Sequence, residues 1–459
     1  MPCSQKLTIR NFGPIREVEI EMKDLMVIIG PQSGGKSTIV KNIYFFTSLK
    51  DYLLEFIYDV LVGPKLLPDH TPELMTGVFK FKLSEKFQLF WSKGVVNPDA
   101  MITYNYGDDR YLSIQAADGK FDVYTPDAVT NFLLKIVSDM IDLKVRISGK
   151  DNIPQVVREV DDPSYIRNTF LTAKDAEIAA FFGLDNKPYY TPAGRGVLST
   201  LSEPLINQIM KNVADQVFSE DKFIHDPTMM DYPLRVYINR ITSMKSQFAK
   251  SLADLVKDHE RFTGKKIDHS AVDRVIEMIP AILKGRYSYE NGSEKIYLPG
   301  SDTSVDLRFA SAGQQESVWI LLQIFQLVLH RISALMIIEE PEAHLYPETQ
   351  KELVALLSFF ANLNGNRVII TTHSPYLLTA ISNLMFADSV GADKQKEVAA
   401  VIPKDIWLHR DRVSAWMLAD GVLEDIVDEE LGQIKVEKID SASAEINSEY
   451  DKLLDIKYA

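Results

Sequence analysis

The stretch Leu25-Met-Val-Ile-Ile-Gly30-Pro31-Gln32-Ser33-Gly34-Gly35-Lys36-Ser37-Thr38 decides the fold. Its first five residues are continuously apolar and end in glycine, the pattern of a strand buried on both faces of a sheet. From about Lys36 to Leu61 the pattern is helical. Between strand and helix, Gly30–Ser37 fits G-x-x-x-x-G-K-[ST], a phosphate-binding loop in the context that motif requires. The glycines let Gly30, Pro31, Gln32, Ser33, Gly34 and Gly35 wrap closely around phosphates, and the helix N-terminus beyond them favours negative charge. Lys36 is expected to reach the β- and γ-phosphates and the Ser37 hydroxyl to coordinate Mg²⁺, with Thr38 also counted among the contacts of a bound ATP.

Working outward, Leu7–Ile9 and Val18–Ile20 alternate around Gly13-Pro14 and predict a hairpin. The aromatics of the first helical stretch (Tyr44, Phe45, Phe46, Tyr52, Phe56) are expected to pack. Residues 77–125 alternate, as in Phe79-Lys80-Phe81-Lys82-Leu83 and Met101–Tyr106, and predict antiparallel strands. From 127 to 285 the chain reads as mainly helical. Leu234, Tyr237, Ile241, Met244, Phe248, Leu252 and Leu255 keep a 3-4 spacing behind Pro233, and Ser270-Ala-Val-Asp273 looks like the cap of a helix ending at Gly285. Prolines at 154, 163, 188, 192, 204, 227, 233 and 280 exclude one long coiled coil. Strand signals at 287–309 lead to a helix at about 311–332, then buried strands at Leu335–Ile338 and Arg367–Thr371. Strands alternating with helices predict a mostly parallel α/β core.

Three more segments carry chemistry. Leu335-Met-Ile-Ile-Glu339-Glu340-Pro-Glu342 is a buried strand ending in paired carboxylates, placed where α/β sheets bind ligands. Glu339 is expected to hold the Mg²⁺ shell and Glu340 to polarise the attacking water. Ala310-Ser311-Ala312-Gly313-Gln314-Gln315 opens a helix, with Ser311 as its N-cap; by itself the segment is an ordinary capped helix. Thr371-Thr372-His373-Ser374-Pro375 sets a histidine at a strand end, where it can meet a γ-phosphate. The eight histidines show no metal-ligand spacing, so no zinc site is expected.

Composition narrows the class. Of 459 residues 46% are hydrophobic and 25% charged, which suits a globular chain of two or three domains. No apolar run approaches a membrane span; Trp319–Ile332 reads as a buried helix. The N-terminus lacks an apolar signal core, and the single cysteine, Cys3, excludes an internal disulfide framework, so a cytoplasmic location is expected. Net charge is −14, and residues 411–459 hold 13 Asp/Glu against 5 Lys/Arg. That balance gives no support to nucleic-acid binding. The basic clusters Lys144/Arg146/Lys150 and Arg261/Lys265/Lys266 are expected to be solvated surface.

These segments, in this order, resemble the ABC-type ATPases of the SMC, RecF and OLD group. Ile338-Glu-Glu-Pro-Glu-Ala-His-Leu-Tyr-Pro347 is similar to the "EEPEAHLHP" block of OLD-like and bacterial defence ATPases, Thr371–Pro375 to their "TTHSP", Asn11–Pro14 to their "NFGP" turn, and Tyr190–Arg195 to a "PA-x-R" segment. The resemblance covers residues 6–50 and 290–385, and 77–125 loosely. It implies an ABC-type head with a mixed central sheet, an antiparallel β subdomain and a large helical insertion. The expected divisions are 1–126 (lobe I), 127–285 (helical insertion), 286–385 (lobe II) and 386–459 (an acidic tail). It further implies that Ala310–Gln314 stands for the signature "LSGGQ". Two chains would then meet head to tail, each donating Ser311, Gly313 and Gln314 to the other's ATP, with His373 as the switch histidine. Ala310 and Ala312 replace Leu and Gly of the signature, Glu339 replaces the more widespread Asp, and Gln32-Ser33 stand where Asn-Gly is usual.

The function expected is a nucleotide-dependent dimeric switch that hydrolyses ATP and regulates a separately encoded effector, such as a nuclease, in anti-phage defence. After residue 385 the sequence carries no acidic constellation like the TOPRIM motif of full-length OLD proteins, so the resemblance implies that effector chemistry would sit on another chain. The alternative is an SMC- or RecF-like DNA maintenance ATPase that clamps DNA.

Overall fold

The computed structural model describes residues 5–64, 70–91, 96–117, 119–149, 163–196, 231–264, 266–428, 432–435, 448–453 and 456–457. Cys3, Lys150, Lys265 and the prolines at 154, 204 and 227 lie outside them. The chain begins β1 (Lys6–Phe12), β2 (Ile15–Glu21), β3 (Leu25–Ile29), α1 (Lys36–Thr47), α2 (Leu49–Val62) and α3 (Pro72–Gln88). It continues through β4 (Val96–Gly107), β5 (Arg110–Ala117), β6 (Lys120–Tyr124), α4 (Asp127–Gly149), α5 (Pro163–Phe182) and β7 (Lys187–Thr191). Next come α6 (Tyr232–Lys245), α7 (Leu252–Thr263), α8 (His269–Leu283), β8 (Arg286–Glu290), β9 (Ser293–Tyr297) and β10 (Ser304–Asp306). Last are α9 (Ala312–Leu329), β11 (Ala334–Glu339), α10 (Pro347–Asn362), β12 (Arg367–Thr372), α11 (Pro375–Ala399), β13 (Val413–Ala419) and β14 (Val422–Asp425). Two compact units emerge. One takes Met1–Met22, Gln32–Pro188 and Asp420–Leu423; the other takes Lys23–Pro31, Tyr189–Ala419 and Glu424–Ala459.

The first unit is built on antiparallel strands in the order β6-β5-β4-β1-β2, with Val422 of β14 beside Glu17 of β2. The expected hairpin is β1–β2. Its register pairs Leu7 with Ile20 and Ile9 with Val18, so all four side chains share one buried face. Phe12, Phe45, Phe87, Phe90 and Phe121 form a buried aromatic core with tilted and edge-on contacts. The expected packing of Tyr44, Phe45, Phe46, Tyr52 and Phe56 is observed, since all are buried.

One expectation here is overturned. Phe79–Leu83 lies in the middle of helix α3, not in a strand. Met75, Phe79, Leu83 and Phe87 recur every four residues and are buried, whereas Phe81 is exposed. Thr71 accepts a hydrogen bond from the Leu74 N–H (3.3 Å) and Pro72 opens the first turn, so the start is capped and the stripe decides. A second correction concerns Lys144. It is buried, not solvated, and its ammonium donates to the carbonyls of Leu61 (3.0 Å) and Gly63 (2.6 Å) at the end of α2. Arg146, Arg261 and Lys266 are exposed.

The second unit carries the expected parallel core, in the order β13-β3-β12-β11-β7, with β13, β3, β12 and β11 mutually parallel. Every residue of β3 and β11 is buried, which is why these strands read as unbroken apolar runs. Helices α8, α9, α10 and α11 pack on them through Val275, Ile279, Trp319, Phe325, Leu357 and Leu378. A small antiparallel sheet, β10-β9-β8, completes the unit.

The long apolar run 234–255 is not one helix. It breaks at a 3₁₀ turn, Ser246–Ala249, and restarts where Ser251 accepts from the Asp254 N–H (3.2 Å). Helix α8 is capped by Asp268, not by Ser270–Asp273, and ends at left-handed Lys284. The span 127–285 is shared between the two units and contains β7, and residue 386 falls inside α11. No helix among the described residues is long and apolar enough to cross a membrane.

Candidate functional site

The phosphate-binding loop begins where β3 ends. Gly30 is buried, and a Cβ there would lie 2.3 Å from the Leu418 carbonyl oxygen, so no larger residue fits. At the start of α1, Gly35 adopts φ +107, a conformation costly for any residue with a side chain. A Cβ at Gly35 would also meet Ile15 Cδ1 at 2.5 Å. Pro31, Gln32, Ser33 and Ser37 are exposed, whereas Lys36 and Thr38 are buried. The first turn of α1 holds no acidic side chain and Gly35 supplies no side-chain cap, which leaves the positive end of the helix dipole for an anion.

The carboxylates sit at the end of β11. Glu339 is buried; one oxygen, Oε2, accepts a hydrogen bond from the Ala193 N–H (3.2 Å). Its other oxygen, Oε1, is buried with no hydrogen-bond partner among the described residues. Such an oxygen costs free energy unless something cationic or protic meets it, so it fits a magnesium ion or that ion's water. Glu340 follows in a left-handed conformation, φ +44, with its N–H donated to the Thr371 carbonyl (2.9 Å). That turn leaves its carboxylate half-exposed, with Oε1 3.4 Å from Nε2 of His373. Strands β11 and β12 are parallel neighbours, and Glu339 pairs in register with Thr371, which places the histidine beside the acids.

His373 is held from behind. Glu342 is buried and one of its oxygens accepts hydrogen bonds from the Thr372 hydroxyl and the His373 N–H (3.0 Å). The Ser374 N–H donates to Thr372 Oγ1 (2.9 Å), and the Ser374 hydroxyl to Gln350 Oε1 (2.6 Å). His373 thus starts a chain of polar contacts ending on α10.

At the start of α9, Ser311 is an exposed N-cap in a full capping box with Gln314. The Gln314 amide is also committed, donating to the Leu283 carbonyl (3.0 Å). Gly313 is buried against the turn after the carboxylates: a Cβ would lie 2.7 Å from the His344 carbonyl oxygen and 3.1 Å from Leu345 Cδ2. Among the positions predicted from sequence, the structure brings together Glu339, Glu340 and His373, and sets Gly313 against Ala343–Leu345.

Three buried residues that hydrogen-bond around the carboxylates and His373 carry no role in the sequence reading. Glu342 lay within the acidic block but had no role; Glu316 is one more polar residue in an apolar helix; and Arg195 had only its place in a "PA-x-R" segment. No local signal announces Glu316.

The chain matches the model of the AAA ATPase domain over residues 5–378. It belongs to that ATPase family. The OLD nuclease of Thermus scotoductus is 22% identical over 373 residues, which is 81% of this chain and 59% of that protein. The chain therefore spans 59% of that relative's length. Among solved structures, an SMC head bound to the C-winged helix domain of ScpA is similar at a TM-score of 0.39 and 12% identity, covering 93% of this chain and 97% of that one. The SMC head domain from Thermotoga maritima is similar at 0.34 and 14%, covering 92% and 98%. At such TM-scores neither likeness bears on the assignment.

Proposed function

We propose that this AAA-family ATPase binds ATP with Mg²⁺ and hydrolyses it, and that the nucleotide state is a switch read by another protein. The observation that carries this reading is the pairing of left-handed Glu340 with His373, 3.4 Å apart at the ends of two adjacent parallel strands. Gly30, Pro31, Gln32, Ser33, Gly34 and Gly35 would cradle the phosphates, Lys36 neutralise the β- and γ-oxygens, and Thr38 add a further contact to the nucleotide. Ser37 and Glu339 would hold Mg²⁺, which when bound neutralises phosphate charge. Glu340 orients a water and takes its proton as the water oxygen bonds to the γ-phosphorus and the bond to the β-phosphate oxygen breaks. His373 contacts the γ-phosphate and reports its loss.

The resemblance to OLD-like ATPases supports a head-to-tail homodimer in which Ser311, Gly313 and Gln314 of one chain complete the other's site. The same resemblance supports a separately encoded effector, such as a nuclease, and a role in anti-phage defence within the cytoplasm. The relative's name, OLD nuclease, fits that class of effector chemistry.

Two substitutions test the core of the reading. Lys36→Ala should abolish binding of a fluorescent ATP analogue. Glu340→Gln should keep binding and lower turnover on the order of 10²–10⁴-fold, the usual contribution of a general base. Equal turnover by wild type and Glu340→Gln would remove Glu340 from the chemistry. DNA binding that is salt-dependent and strengthened by ATP would favour the clamp instead.

A further inference from the structure

Arg195 is the largest fully buried side chain among the described residues, and a buried guanidinium persists only where its donors are met. Here every arm is occupied. Nη1 donates to the carbonyls of Glu339 (2.8 Å) and Pro192 (3.2 Å), Nη2 to the carbonyl of Glu340 (3.1 Å), and Nε to the carbonyl of Glu316 (2.7 Å). The Glu316 carboxylate lies 3.4 Å from Nε and accepts from the Gly196 N–H (3.0 Å). A Cβ at Gly196 would fall 2.7 Å from that carboxylate, so the loop is closed tightly on it. Two residues earlier, the Ala193 N–H donates to Glu339 Oε2.

One short loop therefore grips three things: the backbone of both carboxylates, the side chain of the first of them, and the first turns of the signature helix α9. Glu340 is the residue most in need of such a grip. Its φ of +44 is costly for a residue with a Cβ and persists only where surroundings impose it. The planar fork of an arginine holds two successive carbonyls at once, which a lysine's single ammonium cannot reproduce.

We propose that Arg195 is a positioning residue for ATP hydrolysis: it fixes the left-handed turn at Glu340 and ties that turn, through Glu316, to the signature helix. The inference rests on the reading of Glu340 as the base. In a head-to-tail dimer the signature helix serves one nucleotide and Glu340 the other, so this link joins the two sites through one protomer.

The test uses Arg195→Lys and Glu316→Gln in the full chain, with Arg195→Ala avoided as the main probe because it strands a buried carboxylate. Affinity for a fluorescent ATP analogue and turnover are measured separately, and each variant is combined with Glu340→Gln. Arg195→Lys should leave nucleotide affinity within about twofold and lower kcat on the order of 10²-fold, the penalty of a misplacement near 1 Å. Added to Glu340→Gln it should lower turnover no further, because both act through one group. Glu316→Gln should lower kcat less than Arg195→Lys does.

Wild-type kcat in a folded Arg195→Lys chain would overturn the proposal. So would a loss that multiplies with Glu340→Gln, or one matched by an equal loss of affinity and melting temperature. The two readings fail separately: if Glu340→Gln turns over normally, the base assignment falls, and if only the Arg195 cycle is additive, the positioning role falls.

Discussion

Removing the Glu342 carboxylate should loosen His373 while leaving the Gly30–Ser37 loop, Glu339 and Glu340 in place. In Glu342→Ala the buried Thr372 hydroxyl loses its acceptor, as does the partly buried His373 N–H. A buried donor left unmet costs about 1–3 kcal/mol, so the hydroxyl contributes about 2 and the wetter N–H about 1 kcal/mol. Against this, the variant no longer buries a carboxylate whose Oε2 has no partner among the described residues, which returns about 1 kcal/mol. The net expectation is a loss of about 2 kcal/mol. Thr372→Val removes the same bond from the other end and also orphans the Ser374 N–H. If the two residues act through one hydrogen bond, the double variant should fall short of additivity by about 1 kcal/mol. Urea unfolding at a common slope measures this, with ATP turnover measured in parallel for the effect on His373. Strict additivity, or a Glu342→Ala chain within about 0.5 kcal/mol of wild type, would refute the reasoning.

Ser311→Ala removes the hydroxyl that accepts from the Gln314 N–H, leaving only the backbone half of the capping box, and should cost about 1 kcal/mol, seen as a lower melting temperature. Gly391→Ala drives a Cβ to within 2.2 Å of the Trp407 ring, so α11 must shift; a loss of about 1–3 kcal/mol and altered tryptophan fluorescence are expected. Gly35→Ala forces an alanine into φ +107 against Ile15, and should weaken ATP-analogue binding at least tenfold while lowering the unfolding midpoint, by about 2 kcal/mol in all.

How much of this was legible in the sequence follows from the range of the forces. Buried strands β3, β11 and β12 announce themselves because a strand covered on both faces carries an unbroken apolar run, here Leu25–Ile29, Leu335–Ile338 and Val368–Ile370. Glu339, Glu340 and His373 are legible because each stands at the end of such a strand or directly after it. Helix α3 was missed because Phe79-Lys-Phe-Lys-Leu83 satisfies periods of two and four together over five residues, and only its extension to Met75 and Phe87 separates them. Arg195 and Glu316 form a buried pair across 121 residues of sequence, and each is conventional in its own segment. Only the fold brings the two together.

The order β13-β3-β12 has a consequence for how the chain is made. Strand β3, which leads into the phosphate-binding loop, is synthesised long before both of its hydrogen-bonding neighbours, Arg367–Thr372 and Val413–Ala419. At usual elongation rates its first partner follows it by roughly 20–70 s. Through that interval the wholly apolar strand β3 stays unpaired, and its pairing, once possible, closes a very long loop. A ribosome-bound chain should therefore present Leu25–Ile29 to chaperones until the residues of β12 emerge, and nucleotide binding should be acquired only after synthesis of that strand.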